Sequence, residues 1–206
     1  MGGHLYFKYG CMASGKSMQL LALAHHFHER GIEFLIMKPA IDTRNGENTI
    51  FSRAIGSKEC FSVSKDDNIY ALISASVQSD NLLGLTSLKW ILVDESQFLT
   101  TRQVDELAQL VDELGISVIC YGLRTDFTTK LFEGSKRLFE VADKIEEIKS
   151  SCYCNHKAIF NARVDENKNL ILSGNQIEIG GDEKYVTLCR KCYYDKIKEL
   201  RENFTE

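Results

Sequence analysis

The spacing of apolar and polar residues predicts a series of short strands and helices. Residues 4–9 (HLYFKY) mix aromatic and polar side chains in the manner of a strand, and residues 18–29 (MQLLALAHHFHE) read as a helix stopped by Gly31. Residues 33–37 (EFLIM) form a short apolar run, expected as a second buried strand, ended by Lys38-Pro39, whose proline lacks a ladder donor. These three pieces make one β-loop-α-β unit, the start of an open α/β sheet. Residues 42–56 are polar, broken by Asn45-Gly46, and expected as a loop or flexible hairpin, with Asp42, Arg44, Ser52 and Arg53 as its candidate working residues beside the alternative of a merely solvated loop. A strand at 60–63 and a helix at 69–77 follow, then the four apolar residues Trp90-Ile91-Leu92-Val93 as a buried strand. Thr100 to Gln103 (TTRQ) has the form of a capping box ahead of a helix over 104–114 that Gly115 stops. Residues 117–120 (SVIC) and 144–149 (KIEEIK) are expected as two more strands, the second partly exposed. After Ser150 the chain becomes rich in turns, with short strands expected at 170–172 and 176–179 and a terminal helix to about residue 203.

Between the first strand and the first helix lies Gly10-Cys11-Met12-Ala13-Ser14-Gly15-Lys16-Ser17, which fits the phosphate-binding pattern G-x-x-x-x-G-K-[ST] at every fixed position. The order strand, loop, helix is what a nucleotide phosphate needs. Gly10 and Gly15 let the backbone approach, the helix start offers unpaired N–H groups and a positive dipole end, Lys16 can reach the β- and γ-phosphates, and Ser17 can ligate Mg²⁺. The strand 90–93 runs into Asp94-Glu95. An acid at the carboxyl end of such a strand suits Mg²⁺, directly or through water. Glu95 suits a general base or a residue that positions an attacking water. The plainer alternative is that the two acids cap the next element.

Composition narrows the class. Hydrophobic residues make up 44% of the 206, enough for a real core in one large domain or one domain with a small appendage. The net charge of −4 argues against nucleic acid as a partner. No apolar run reaches the ~18 residues that span a bilayer, no signal peptide is evident, and Tyr6 stands where a myristoylation start needs Ser or Thr, so the expectation is a cytoplasmic enzyme. The seven cysteines are then expected as reduced thiols or metal ligands. Cys189-x-x-Cys192 is a good half of a tetrahedral zinc site. Cys152-x-Cys154 is a poorer half, with His156 near enough to be an alternative ligand. A redox pair at 189 and 192, or four unrelated thiols, are the competing readings. Cys11, Cys60 and Cys120 are expected as small buried apolar residues.

Taken together, the phosphate loop, Asp94-Glu95-Ser96-Gln97-Phe98, residues 121–127 (YGLRTDF) and the cysteine quartet resemble the zinc-containing thymidine kinases over nearly the whole chain, from Leu5 to about Tyr193. The resemblance implies a RecA-like α/β domain with a parallel sheet flanked by helices over residues 1–150, and a small zinc-binding domain with a lasso loop over 151–206. It implies transfer of the γ-phosphoryl group of ATP to the 5′-hydroxyl of thymidine in deoxynucleoside salvage, with ATP, Mg²⁺ and structural Zn²⁺, in a homotetramer with neither nucleic acid nor membrane as partner. By position, Gly10 to Ser17 and Asp94, Glu95, Ser96 and Gln97 would bind ATP, and Glu95 would deprotonate the 5′-hydroxyl. Cys152, Cys154, Cys189 and Cys192 would hold zinc. Phe98, Leu123 and Phe127 would surround the thymine, and Asp42 and Arg44 would lie near sugar and phosphates. Gln176, Ile177, Glu178, Ile179 and Gly180 would form the lasso over the base, beside Tyr185. The chain departs from many family members at Cys11 and Ala13 of the loop and in its C-x-C half-site. Two other functions fit parts of the sequence: a water-using ATPase or GTPase, although an N/T-K-x-D element is lacking, and a zinc-ribbon nucleic-acid module, which the acidity disfavours.

Overall fold

In the computed structural model, which describes residues 2–44, 46–78, 86–176 and 184–203, alternation along the central strands sorts apolar side chains to the two faces of one sheet. The strands are β1 (Leu5–Gly10), β2 (Phe34–Pro39), β5 (Phe61–Val63), β6 (Trp90–Val93), β7 (Ser117–Gly122) and β8 (Lys144–Ile148), and they lie in the order β5-β2-β6-β7-β1-β8. Every neighbouring pair is parallel. Leu5, Phe7, Met37, Ile91, Val93, Val118 and Cys120 pack on one face, under α2 (Ile69–Gln78), α3 (Thr101–Leu114) and α4 (Glu133–Val141). Ile36, Leu92, Ile119 and Tyr121, offset by one residue, pack on the other face under α1 (Lys16–Glu29). A sheet covered on both sides needs apolar residues at both phases, which is why the inner strands β2, β6 and β7 are largely apolar. Each fully buried Leu- or Phe-sized side chain contributes roughly 1.5–3 kcal/mol.

Parallel strands present all their carboxyl ends at one edge, and that is where β1 delivers its loop and β6 delivers Asp94. The helix boundaries follow from local chemistry. The Thr100 side chain accepts from the Gln103 amide while the Gln103 side chain accepts from the Thr100 amide, the reciprocal cap expected before α3 and worth about 1 kcal/mol. Gly31 and Gly115 take left-handed backbone after α1 and α3. Residues 49–52 (β3) and 56–59 (β4) pair as an antiparallel hairpin, the hairpin form of the expectation for 42–56.

The second hydrophobic cluster is built from the cysteine-rich end. Cys152, Ala158, Ala162, Val164, Leu188, Cys189, Cys192 and Tyr193 pack together around the antiparallel pair β9 (Phe160–Arg163) and β10 (Tyr185–Leu188) and beside α5 (Arg190–Asn203). Cys11 of the loop belongs to this cluster, whereas Cys120 is in the sheet core and Cys60 is only half-buried. The strand expected at 170–172 is not formed. Leu170 makes one isolated bridge to Val164. Of the strand expected at 176–179, Gln176 lies in an exposed bend and residues 177–179 lie outside the described residues. No helix among the described residues is long and apolar enough to cross a membrane.

Two elements the pattern did not predict, α4 and the β9–β10 pair, matter for the site. Helix α4 packs so closely on the 3₁₀ turn at Ser96–Phe98 that a methyl group on Gly134 would lie 2.5 Å from the Ser96 carbonyl oxygen and 2.7 Å from that of Leu99. Backbone oxygens cannot yield as a side chain can. Gly134→Ala is therefore expected to destabilise the protein by about 1–3 kcal/mol, despite the better helix propensity of Ala, read as a lowered denaturant midpoint. An unchanged or raised midpoint would contradict this packing.

Candidate active site

The phosphate loop is shaped by its neighbours. A methyl group on Gly10 would sit 2.5 Å from Ser14 Oγ and 2.6 Å from the Ile148 carbonyl oxygen, so only glycine lets the loop turn against β8. Lys16 is buried, and its ammonium donates to the Cys11 carbonyl at 2.7 Å and more weakly to that of Gly10 at 3.4 Å. Burial lowers its pKa, opposed by the negative charges of Glu95 and Asp94. Asn161 on β9 reaches the loop as well, its Oδ1 accepting from the Met12 amide at 2.7 Å.

Asp94 and Glu95 directly follow β6 as adjacent acids, Asp94 buried and Glu95 nearly so. Ser17 Oγ donates to Asp94 Oδ2 at 2.8 Å, and Asp94 Oδ1 is buried without a hydrogen-bond partner among the described residues. Burial, then the Glu95 charge, raises the Asp94 pKa against the Ser17 hydrogen bond and Lys16. Burial also raises that of Glu95, but the Arg44 guanidinium, Lys16 and the hydrogen bonds from Gln97 and Arg44 outweigh it, so Glu95 stays below the usual range. Arg44 bridges two acids, with Nη2 2.6 Å from Glu95 Oε1 and Nε 2.6 Å from Asp42 Oδ1, and its own pKa is driven up by Glu95 against the cost of burial. Lys38 lies 3.9 Å from Asp42 and donates to the carbonyls of Gly46 and Thr49, which fixes the 42–49 segment. Glu95 has left-handed backbone (φ 51°), a conformation a non-glycine residue holds only when its surroundings impose it. Gln97 imposes part of it. Its amide nitrogen donates to Glu95, and its Oε1 accepts from the Leu123 amide at 2.9 Å.

One cavity of about 640 Å³ joins these groups to an apolar wall. Loop residues Met12 to Ser17, with Asp42, Arg44, Asp94, Glu95 and Gln97, line it together with Phe98, Leu123, Phe127, Gln176 and Tyr185. The size is that of a small-molecule site. Gly10, Cys11 and Ser96 are brought near but do not line it; Ser96 is fully buried and its hydroxyl donates to the Tyr121 carbonyl, which makes it an anchor for the turn. Ile177, Glu178, Ile179 and Gly180 lie outside the described residues. The reading from sequence missed Asn161 and Arg163, and placed Asp126 in the 121–127 motif without giving it a role. Asp126 accepts from Thr128, the Lys130 amide and Gln176 Nε2. Arg163 stacks its guanidinium 3.9 Å above the centre of the Phe127 ring. Neither Asn161 nor Arg163 belongs to a sequence motif, since each acts across a long stretch of chain.

The residues fit two metals. A hard cation beside bound phosphates needs oxygen ligands, and the partnerless Asp94 Oδ1 next to Ser17 offers them, as Mg²⁺ requires. The sulfur atoms of Cys152, Cys154, Cys189 and Cys192 all lie within 4.8 Å of one another, with Cys154 and Cys189 3.6 Å apart. Tetrahedral zinc with Zn–S near 2.3 Å sets sulfurs about 3.8 Å apart. The quartet closes without His156, whose Nδ1 instead lies 3.2 Å from the Cys154 carbonyl oxygen and 3.5 Å from its sulfur.

Comparison with known proteins agrees across the chain. The sequence model of the thymidine kinase family (TK) matches residues 3–193. The chain is 44% identical over 196 residues to a thymidine kinase of Zymomonas mobilis, covering 95% of this chain and 98% of that one. It is 46% identical over 198 residues to the thymidine kinase of Enterobacteria phage T4, with the same coverage of 95% and 98%. To a thymidine kinase of Legionella pneumophila it is 42% identical over 189 residues, 92% of this chain and 88% of that one.

Metal analysis of purified protein is expected to give about one zinc per chain. Cys154→Ser should lower that content and the thermal midpoint together, and His156→Ala should leave both unchanged. Zinc lost from His156→Ala and retained in Cys154→Ser would contradict the four-sulfur site.

Proposed function

The chain belongs to the thymidine kinase family, and from that premise we propose that it transfers the γ-phosphoryl group of ATP to the 5′-hydroxyl of thymidine, giving thymidine monophosphate and ADP. The observation that carries this reading is the shared cavity, in which a phosphate loop and a base-sized apolar wall line the same space as Glu95. Glu95 takes the proton of the 5′-hydroxyl. Its low pKa leaves it ionised at neutral pH, and a loose phosphoryl-transfer transition state asks for little basic strength because proton transfer is late. Lys16 exchanges its carbonyl partners for the phosphates, whose oxygens also accept from amides at the start of α1. Ser17 and Asp94 would hold Mg²⁺, which would neutralise phosphate charge. Arg44 and Gln97 hold Glu95 in its left-handed conformation, aimed at the acceptor. Phe98, Leu123, Phe127 and Tyr185 wall the thymine, with Gln176 beside them; the lasso residues Ile177, Glu178, Ile179 and Gly180 lie outside the described residues. Asp42 orients Arg44 near the sugar and phosphates.

The same reading assigns residues 1–150 to the nucleotide-binding domain and 151–206 to a zinc-binding domain, its zinc structural and held by the four cysteines. It places the enzyme in the cytoplasm as a homotetramer, with no nucleic acid or membrane partner. ADP release with ATP and Mg²⁺ tests it. Wild type should release ADP only when thymidine is present, and Glu95→Gln should slow this by about 10²–10⁴-fold while ATP still binds. Near-normal turnover in the variant would remove Glu95 from its role. Release indifferent to thymidine would point to a water-using ATPase.

A further inference from the structure

Strand β9 carries Asn161 and Arg163 on one face, two residues apart, so a single strand of the cysteine-rich cluster meets both the phosphate loop and the apolar wall. Arg163 is 3% exposed. A guanidinium is costly to bury, and the groups around it show what it holds in place. Its Nη2 donates to the Tyr185 hydroxyl at 3.0 Å and to the Asn175 carbonyl at 3.1 Å, and its Nε reaches the same hydroxyl at 3.3 Å. Its planar face lies on Phe127. Four segments of chain distant in sequence therefore meet at one side chain: β9, β10 through Tyr185, the turn at 174–175, and the loop after β7 through Phe127. The backbone of Phe127 is tied separately, its carbonyl accepting from the Tyr193 hydroxyl at 3.2 Å. What Arg163 adds is the orientation of the ring.

We propose that Arg163 is a positioning residue for the nucleoside base. Phe127 and Tyr185 line the cavity, so fixing both rings and the turn at 174–175 fixes the walls against which a flat pyrimidine stacks. A cation on the hidden face of Phe127 also draws π-density away from the open face, which favours the carbonyl-bearing ring of a pyrimidinedione there. Lysine cannot reproduce this, because only a planar fork can stack on one ring while donating to a hydroxyl and a carbonyl at its edge. Among the described residues, the hydrogen bonds and ring contacts of Arg163 go to Tyr185, Asn175 and Phe127 and not to the phosphate loop, so its loss is expected to act on one substrate.

This inference rests on the kinase reading, and the test separates the two. Steady-state kinetics would be measured for wild type, Arg163→Met and Arg163→Lys, with zinc content as a check on folding. Arg163→Met should raise the thymidine KM about tenfold or more, with the ATP KM within about twofold of wild type and zinc retained. Arg163→Lys should fall between Met and wild type. Should the Met variant fail to fold, the Lys variant, which keeps charge and most of the volume, is judged by the same split. A thymidine KM unmoved in the folded variants, or thymidine and ATP KM values rising together, would overturn the assignment. Wild type without thymidine-dependent turnover would overturn the kinase reading and this inference with it.

Discussion

Two adjacent carboxylates buried at the end of a strand are tolerable only if cations come to them, and much of the architecture serves that requirement. Asp94 and Glu95 repel each other, and burial penalises both charges. Lys16 from the start of α1 and Arg44 from the segment after β2 supply the opposing charges, so the phosphate loop and the 42–49 segment must both converge on the end of β6. The parallel sheet makes this geometrically cheap, since every strand presents the same end to that edge. The balance is uneven. Glu95 receives a direct ion pair and a side-chain amide, whereas Asp94 has one hydroxyl and, among the described residues, an oxygen without a hydrogen-bond partner. One acid is thereby held ionised and aimed, and the other is left with an oxygen that a divalent cation would satisfy.

The cysteine-rich end completes the site from the other side. Its hydrophobic cluster takes in Cys11 of the phosphate loop, and β9 sends Asn161 to the Met12 amide and Arg163 to Phe127. A zinc ion closing the four sulfurs would tie together the chain before β9 and the chain after β10. Metal loss would then reach both the phosphate loop and the apolar wall without touching a substrate directly.

The parts of the fold legible in the sequence are those with local causes. The glycines and lysine of 10–17, the run from Trp90 into Asp94-Glu95, and the capping box at Thr100 each announce themselves within a few residues, and the structure places those elements where the sequence put them. What was not legible depends on distant partners. Helix α4 has few apolar residues and an early glycine, and only its packing against Ser96–Phe98 explains either. Leu170 to Leu172 looked like a strand but bridges only Val164, while the polar FNAR of β9 forms the ladder, because its pairing with β10 spans more than twenty intervening residues. Ser96 sat inside a recognisable motif, yet it anchors the turn and does not line the cavity. Arg163 gave no signal at all: a lone arginine in a strand becomes informative only once Phe127 is found beneath it.

The central claim is that this charge-balanced pocket passes a phosphoryl group to a nucleoside and not to water. Incubation with ATP labelled in its γ-phosphate, Mg²⁺ and thymidine, followed by separation of products, tests it most directly. The account predicts label in thymidine 5′-monophosphate, formed in step with ADP. Label appearing only as inorganic phosphate, at a rate indifferent to thymidine, would contradict it.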